Sequence, residues 1–183
     1  MVTDLTNKIW NFDSPQLNGE SYDDDLVTGF VIKFMKKNFN CEFILNPNRK
    51  GAFDLINKYN DPRLGFIEVE LGYWKGNYWE NDYYSYLSGI GERTVNAGMR
   101  KGKNFFTLVD NKLIPNEYPH WFIRTNCSQV IIVNSETIKD PEKVIFTSFK
   151  VSNNPEIEDW MSFRQKDVLT YDPINDGWEL QKK

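Results

Sequence analysis

Between Ser21 and Asn38 apolar side chains recur at steps of three and four: Leu26, Val27, Phe30, Val31, Phe34 and Met35. That spacing predicts an amphipathic helix. Asp23, Asp24 and Asp25 fall in its first turn and Lys33, Lys36 and Lys37 near its end, the arrangement that suits the helix dipole. The period then shortens to two. Cys41 to Leu45 reads as a strand, Asn46-Pro47-Asn48 as a turn, and Gly51 to Gly76 as two apolar runs around the turn formers Asn60 to Gly65. Further strands are expected at 104–109, 121–124, 129–133 and 144–151, with a short helix within 135–144 that Pro141 either starts or ends. Residues 73–88, dense in aromatics, read as a loop leading into a helix; the helix-like segment 89–103 is interrupted by Gly91, Gly98 and Gly102. After Asn153 the pattern weakens, and 167–183 resembles a strand plus a tail. The expected architecture is one mixed α/β domain over 1–183, with an N-terminal arm (1–20) and a peripheral C-terminal extension (153–183).

The hairpin carries acids inside its strands. Pro62 cannot sit in a central strand, so the turn is placed there, and facing residues then have numbers summing to about 124. On that register Phe53, Leu55, Ile67, Val69 and Leu71 share one face. Asp54, Glu68 and Glu70 share the other, with Asp54 opposite Glu70 and diagonal to Glu68. Like charges facing each other on a sheet repel by roughly 0.2–1 kcal/mol per pair. A divalent cation reverses the sign, because hard cations bind several carboxylates together. The cluster is therefore a metal site or a solvated acidic face, and the spacing leaves both open.

Composition narrows the chemistry. The 183 residues suffice for one sizeable core. The net charge of −4 argues against a broad, non-specific DNA-binding surface, but not against a local basic groove. Cys41 and Cys127 are far apart and lack metal-type spacing, which points to reduced thiols and a cytoplasmic setting, with a single bridge as the alternative. The N-terminus lacks a signal-peptide pattern, and no apolar run approaches the ~18–20 residues of a membrane span. The lone histidine, His120, and the absence of a Gly-x-Ser-x-Gly elbow argue against triad catalysis. There is no clustered Cys/His zinc pattern, phosphate-binding loop or dinucleotide fingerprint. Hard-cation chemistry on oxygen ligands remains, with the hairpin as its location.

The order helix, strand, strand with Phe53-Asp54, strand with Glu68-Val69-Glu70, then helix and strands resembles the PD-(D/E)XK, or restriction-endonuclease-like, nuclease superfamily, in particular small phage-type members. Ile90-Gly91-Glu92-Arg93 and the later segments His120 to Arg124 and Gln129 to Val133 extend the likeness over roughly 21–140. Phe53 stands where the family has proline, and Glu70 where it has lysine, giving an E-x-E variant. The resemblance implies a mixed central sheet flanked by helices (an αβββαβ core) and a Mg²⁺- or Mn²⁺-dependent endonuclease hydrolysing phosphodiester bonds, most simply in DNA. It implies that Asp54, Glu68 and the Val69 carbonyl hold the metal and that Glu70 orients or deprotonates the attacking water, with Lys75 as a nearby cation. Asp25 is the implied helix acid, with Asp23 and Asp24 as rivals and helix capping as the structural explanation for all three. It also implies a bacterial or phage-infected cytoplasm, no membrane, and a homodimer as one arrangement, since two strands must be cut.

Nucleic acid requires positive charge near an acidic site. Arg93, Arg100, Lys101 and Lys103 form the densest basic stretch after the hairpin and are candidates for phosphate contacts, or else a solvated polar face. The competing reading is a non-catalytic module that binds nucleic acid or carbohydrate through the aromatic stretch Tyr73 to Tyr86; a glycosidase built on two carboxylates is a weaker variant.

Overall fold

The computed structural model describes residues 24–47, 53–59, 65–87, 90–98, 105–110, 112–116, 120–150 and 157–172. Helix α1 (Asp24–Phe39) buries its stripe of Val27, Phe30, Val31, Phe34 and Met35, and Lys36 and Lys37 occupy its last turn. Asn40, at φ 53°, ends the helix in the left-handed region that asparagine tolerates. The chain is a mixed α/β protein, mostly strand with few helices among the described residues.

Six strands form the main sheet. They are β1 (Phe43–Leu45), β2 (Leu55–Asn57), β3 (Phe66–Leu71), β8 (His120–Thr125), β9 (Val130–Val133) and β12 (Leu169–Tyr171), in the order β1-β2-β3-β8-β9-β12. All neighbours are antiparallel except β3 and β8, which run parallel, with Glu68 beside Phe122 and Glu70 beside Arg124. A second sheet takes the order β10-β11-β5-β4, from β4 (Tyr86–Leu87), β5 (Glu92–Gly98), β10 (Val144–Lys150) and β11 (Ile157–Arg164). Strands β6 (Phe106–Val109) and β7 (Lys112–Pro115) make a separate hairpin.

Two cores follow from the alternation of side chains across the main sheet. Helix α1 packs on one face with Leu55, Ile67, Val69, Ile123, Val130 and Ile132. The other face gathers Phe122, Ile131 and Val133 with Trp74, Tyr78, Val95, Ala97, Met161 and Phe163. Strand β9 is buried along its length, which explains why Val130 to Val133 is an unbroken apolar run. Helix α2 (Ser135–Lys139) follows directly, with the Asn134 side chain accepting the Thr137 N–H as its cap, and it ends before Pro141.

Three expectations need correction. No α-helix separates β3 from β8 among the described residues; a short 3-10 turn (Tyr78–Glu80) and β4 to β7 take that place. The reason is a period of two, because Val95 and Ala97 enter the apolar core while the alternate residues, buried Thr94 and half-buried Asn96, take the other face. The hairpin register is also centred one residue before Pro62: Leu55 faces Ile67 and Ile56 faces Phe66. One further step sets Asp54 level with Glu68 rather than Glu70. Finally, Phe53 leaves the Leu55 face, because the backbone bends at Asp54 and the Phe53 ring stacks on Phe66 at 5.1 Å. The 153–183 stretch supplies β11, an interior strand of the second sheet, and β12, an edge of the main one. The arm 1–20 lies outside the described residues.

Candidate active site

The site is built where β2 begins beside the middle of β3. Asn46 fixes the approach: its N–H donates to the Asp54 carbonyl at 2.9 Å and its side-chain amide to the Phe53 carbonyl at 2.7 Å. Strand β2 starts only at Leu55, one residue after Asp54. The Asp54 side chain accepts the next N–H along β3, with Oδ2 2.8 Å from the Val69 nitrogen. An aspartate that interrupts an apolar strand thus has a structural task, extending the sheet through a carboxylate. The same bond holds Asp54 against the residue between Glu68 and Glu70.

Glu68 is buried, at 7% exposure, on the face of β3 that looks toward the second core. Glu70, one pleat further, is drawn to Arg124, the residue level with it on β8. Their closest atoms, Oε1 and Nη1, lie 3.9 Å apart, and the two side chains keep only 21% and 11% of their surface. The guanidinium is fixed from three directions. Its Nη1 donates to the Asn96 carbonyl at 2.9 Å, and the rings of Tyr78 and Tyr84 each lie 5.9 Å from it. Glu70 Oε2 and Arg124 Nε are buried and make no hydrogen bond.

The chain after β3 closes over this pair. Gly72 donates to the Thr125 carbonyl at 2.9 Å, and the Trp74 ring folds back so that a β-carbon at Gly72 would stand 2.1 Å from Cζ3. Only glycine fits there. Trp74 Nε1 and the Tyr78 N–H both donate to Gln129 Oε1, and Asn126 donates to the Trp74 carbonyl, so the β8–β9 turn anchors the loop. Burial raises the Tyr78 hydroxyl pKa strongly, and the hydroxyl sits 3.0 Å from the carbonyls of both Tyr84 and Thr94.

The hairpin residues are thus brought together only in part. Asp54 is bonded to Val69, and Glu68 and Glu70 share a face, but Glu70 is engaged by Arg124. Among the described residues, no three His, Cys, Asp or Glu side chains converge on one cation position. A metal here would rest on two carboxylates and a backbone oxygen, a donor set that fits Mg²⁺, which is commonly held by one or two carboxylates with waters and substrate phosphate completing the shell.

The remaining candidates are dispersed. Lys75 is exposed in the loop beyond Gly72. Arg93 is half-buried: its Nη1 lies 2.6 Å from Asp82 Oδ1 and 3.1 Å from Ser85 Oγ, and its guanidinium covers Tyr86 at 5.2 Å. Asp25 lies in the first turn of α1. Arg100, Lys101 and Lys103 lie outside the described residues. In the aromatic stretch, Trp74, Tyr78 and Trp79 are core, whereas Tyr73, Tyr83 and Tyr86 are exposed. Sequence reasoning passed over Arg124, although it is the one charged residue inside the apolar strand His120 to Thr125. A lone charge on a buried strand is the signal that marks it. No helix among the described residues is long and apolar enough to cross a membrane. Comparison with protein-family models, with curated proteins and with solved structures gave no match.

Proposed function

We propose that this protein is a Mg²⁺- or Mn²⁺-dependent nuclease of the restriction-endonuclease-like kind, hydrolysing phosphodiester bonds in DNA. The observation that carries the reading is the hydrogen bond from the Val69 N–H to Asp54, which fastens the acid before β2 to the centre of the Glu68-Val69-Glu70 motif. The order α1, β1, β2, β3 and then β8 supports it, with strands β4 to β7 in place of the expected second helix.

In this reading Asp54, through the oxygen not used on Val69, Glu68 and the Val69 carbonyl hold the cation. When bound, the metal supplies positive charge where negative charge develops on the phosphate. Glu70, whose side chain keeps a fifth of its surface, would orient the attacking water and receive its proton. Arg124 stands in for the absent lysine of the motif; its charge holds the Glu70 carboxylate in place from the neighbouring strand. The core burial of Trp74, Tyr78 and Trp79 removes half of the support for a purely aromatic binding module, and the exposed tyrosines retain the rest.

The test is metal-dependent cleavage of fluorescent DNA substrates, single-stranded and duplex, by the wild type and by Glu68→Gln. Cleavage with Mg²⁺ or Mn²⁺ that is lost in Glu68→Gln supports the reading. Absence of cleavage with either ion on every substrate overturns it.

A further inference from the structure

The surface beside the candidate site is unusual in what it leaves in water. Tyr83 is 86% exposed, and Tyr73 is exposed as well. The Tyr83 and Tyr84 rings meet edge-on at 5.1 Å. Tyr84 in turn covers the Arg124 guanidinium, which faces Glu70. A continuous path of contacts therefore runs from an open tyrosine on the surface to the acid of the site.

The depth of that site limits what can reach it. Glu68 is buried, and the Arg124 guanidinium that faces Glu70 lies against the Tyr78 and Tyr84 rings. A paired duplex is a stiff rod with its phosphodiesters fixed on its surface and its bases stacked inside. Its stacked bases are withheld from an exposed ring, and bending one phosphate into a recess costs deformation energy that an unpaired strand does not incur. An unpaired strand meets both demands, because its bases are free to stack on aromatic faces while the backbone turns inward. Exposed Lys75 lies between Tyr73 and Tyr83 in the chain, and Arg93, bound to Asp82, reaches the same stretch.

We infer that the ligand of this surface is single-stranded nucleic acid, with Tyr83 and Tyr73 stacking on unpaired bases and the strand passing Tyr84 toward Arg124 and Glu70. The inference rests on the proposed nuclease reading and names its substrate class. Its test is fluorescence anisotropy of a labelled twelve-nucleotide oligonucleotide, compared with the same sequence locked in a hairpin duplex, in Ca²⁺ and again in EDTA. The wild type is expected to bind the single strand at least ten-fold more tightly than the duplex. Tyr83→Ala is expected to weaken single-strand binding about ten-fold, and Tyr83→Trp to restore it, with unchanged thermal stability because the ring packs little of its own surface. Equal or tighter duplex binding, or single-strand binding indifferent to Tyr83→Ala, overturns the inference. The two proposals fail separately. Tyr83-dependent single-strand binding in a protein that never cleaves would leave this surface standing and remove the nuclease. Metal-dependent cleavage confined to duplex would do the reverse.

Discussion

Asp54 and Val69 are joined across the mouth of the hairpin: Asp54 Oδ2 accepts the Val69 N–H at 2.8 Å, one residue before β2 begins. This bond separates two roles that the aspartate plays, and substitutions can pull them apart. Asp54→Ala removes the acceptor that this N–H uses and is expected to cost about 1–3 kcal/mol in denaturant unfolding. Asp54→Asn keeps an acceptor oxygen, so its stability should stay within about 1 kcal/mol of wild type. Equal losses in both variants would contradict the assignment.

The Glu70–Arg124 pair should behave as one unit. Arg124→Met strands the Glu70 carboxylate in a mostly buried position, at an expected cost of about 2–3 kcal/mol. This lies below the roughly 3–5 kcal/mol of a fully buried pair because Glu70 keeps a fifth of its surface and the contact is long. Adding Glu70→Gln should recover much of the loss. A double-mutant cycle with no coupling between the two positions would show that the ion pair contributes nothing.

Gly72 is fixed by the Trp74 ring rather than by backbone freedom. Gly72→Ala must displace that ring and is expected to destabilise by about 1–3 kcal/mol, with a change in tryptophan fluorescence. An unperturbed spectrum would mean that the ring does not lie there.

The two cysteines should differ in reactivity. Burial pushes the Cys127 thiol up to about 12, and its side chain is fully enclosed beneath α1; burial raises Cys41 less, and Cys41 is half-exposed. A thiol reagent at pH 8 should modify Cys41 in the native protein and Cys127 only after unfolding. Two equally fast reactions would contradict the packing of the β8–β9 turn.

Acid stability has one assignable contributor on the surface. Glu42 accepts a hydrogen bond from the Tyr59 hydroxyl and sits near Lys36 and Lys58, and these partners hold its carboxyl below its ordinary value of 4.5. Because the folded value is the lower one, the stabilisation is present above about pH 4.5 and fades as the pH falls through the folded value. Glu42→Gln should therefore lower stability slightly at pH 6 and flatten its decline on acidification. A decline as steep as that of wild type would remove this group from the account.

What the sequence made legible follows from local periodicity. Helix α1, the β2–β3 hairpin, β8 and β9 each carry an uninterrupted stripe or alternation, and each forms. The acids of β3 were legible as sharing a face because alternate residues of one strand point the same way. The register was not legible, since turn chemistry points to Pro62 without fixing which residue pairs with which. The bend that turns Phe53 toward Phe66 and His120 depends on contacts far along the chain. Strand β5 was obscured by glycines that break a helix and a strand alike. Arg124 meets Glu70 only because β3 and β8 lie parallel, a neighbourhood that no local window contains.

The most direct test of the central claim is calorimetric titration of Mn²⁺ into the wild type, Asp54→Asn and Glu68→Gln. Saturable binding of one ion in the wild type, lost in both variants while their far-ultraviolet circular dichroism is unchanged, is the predicted result. Binding that persists in both variants, or no binding to the wild type, would contradict a metal held by Asp54 and Glu68.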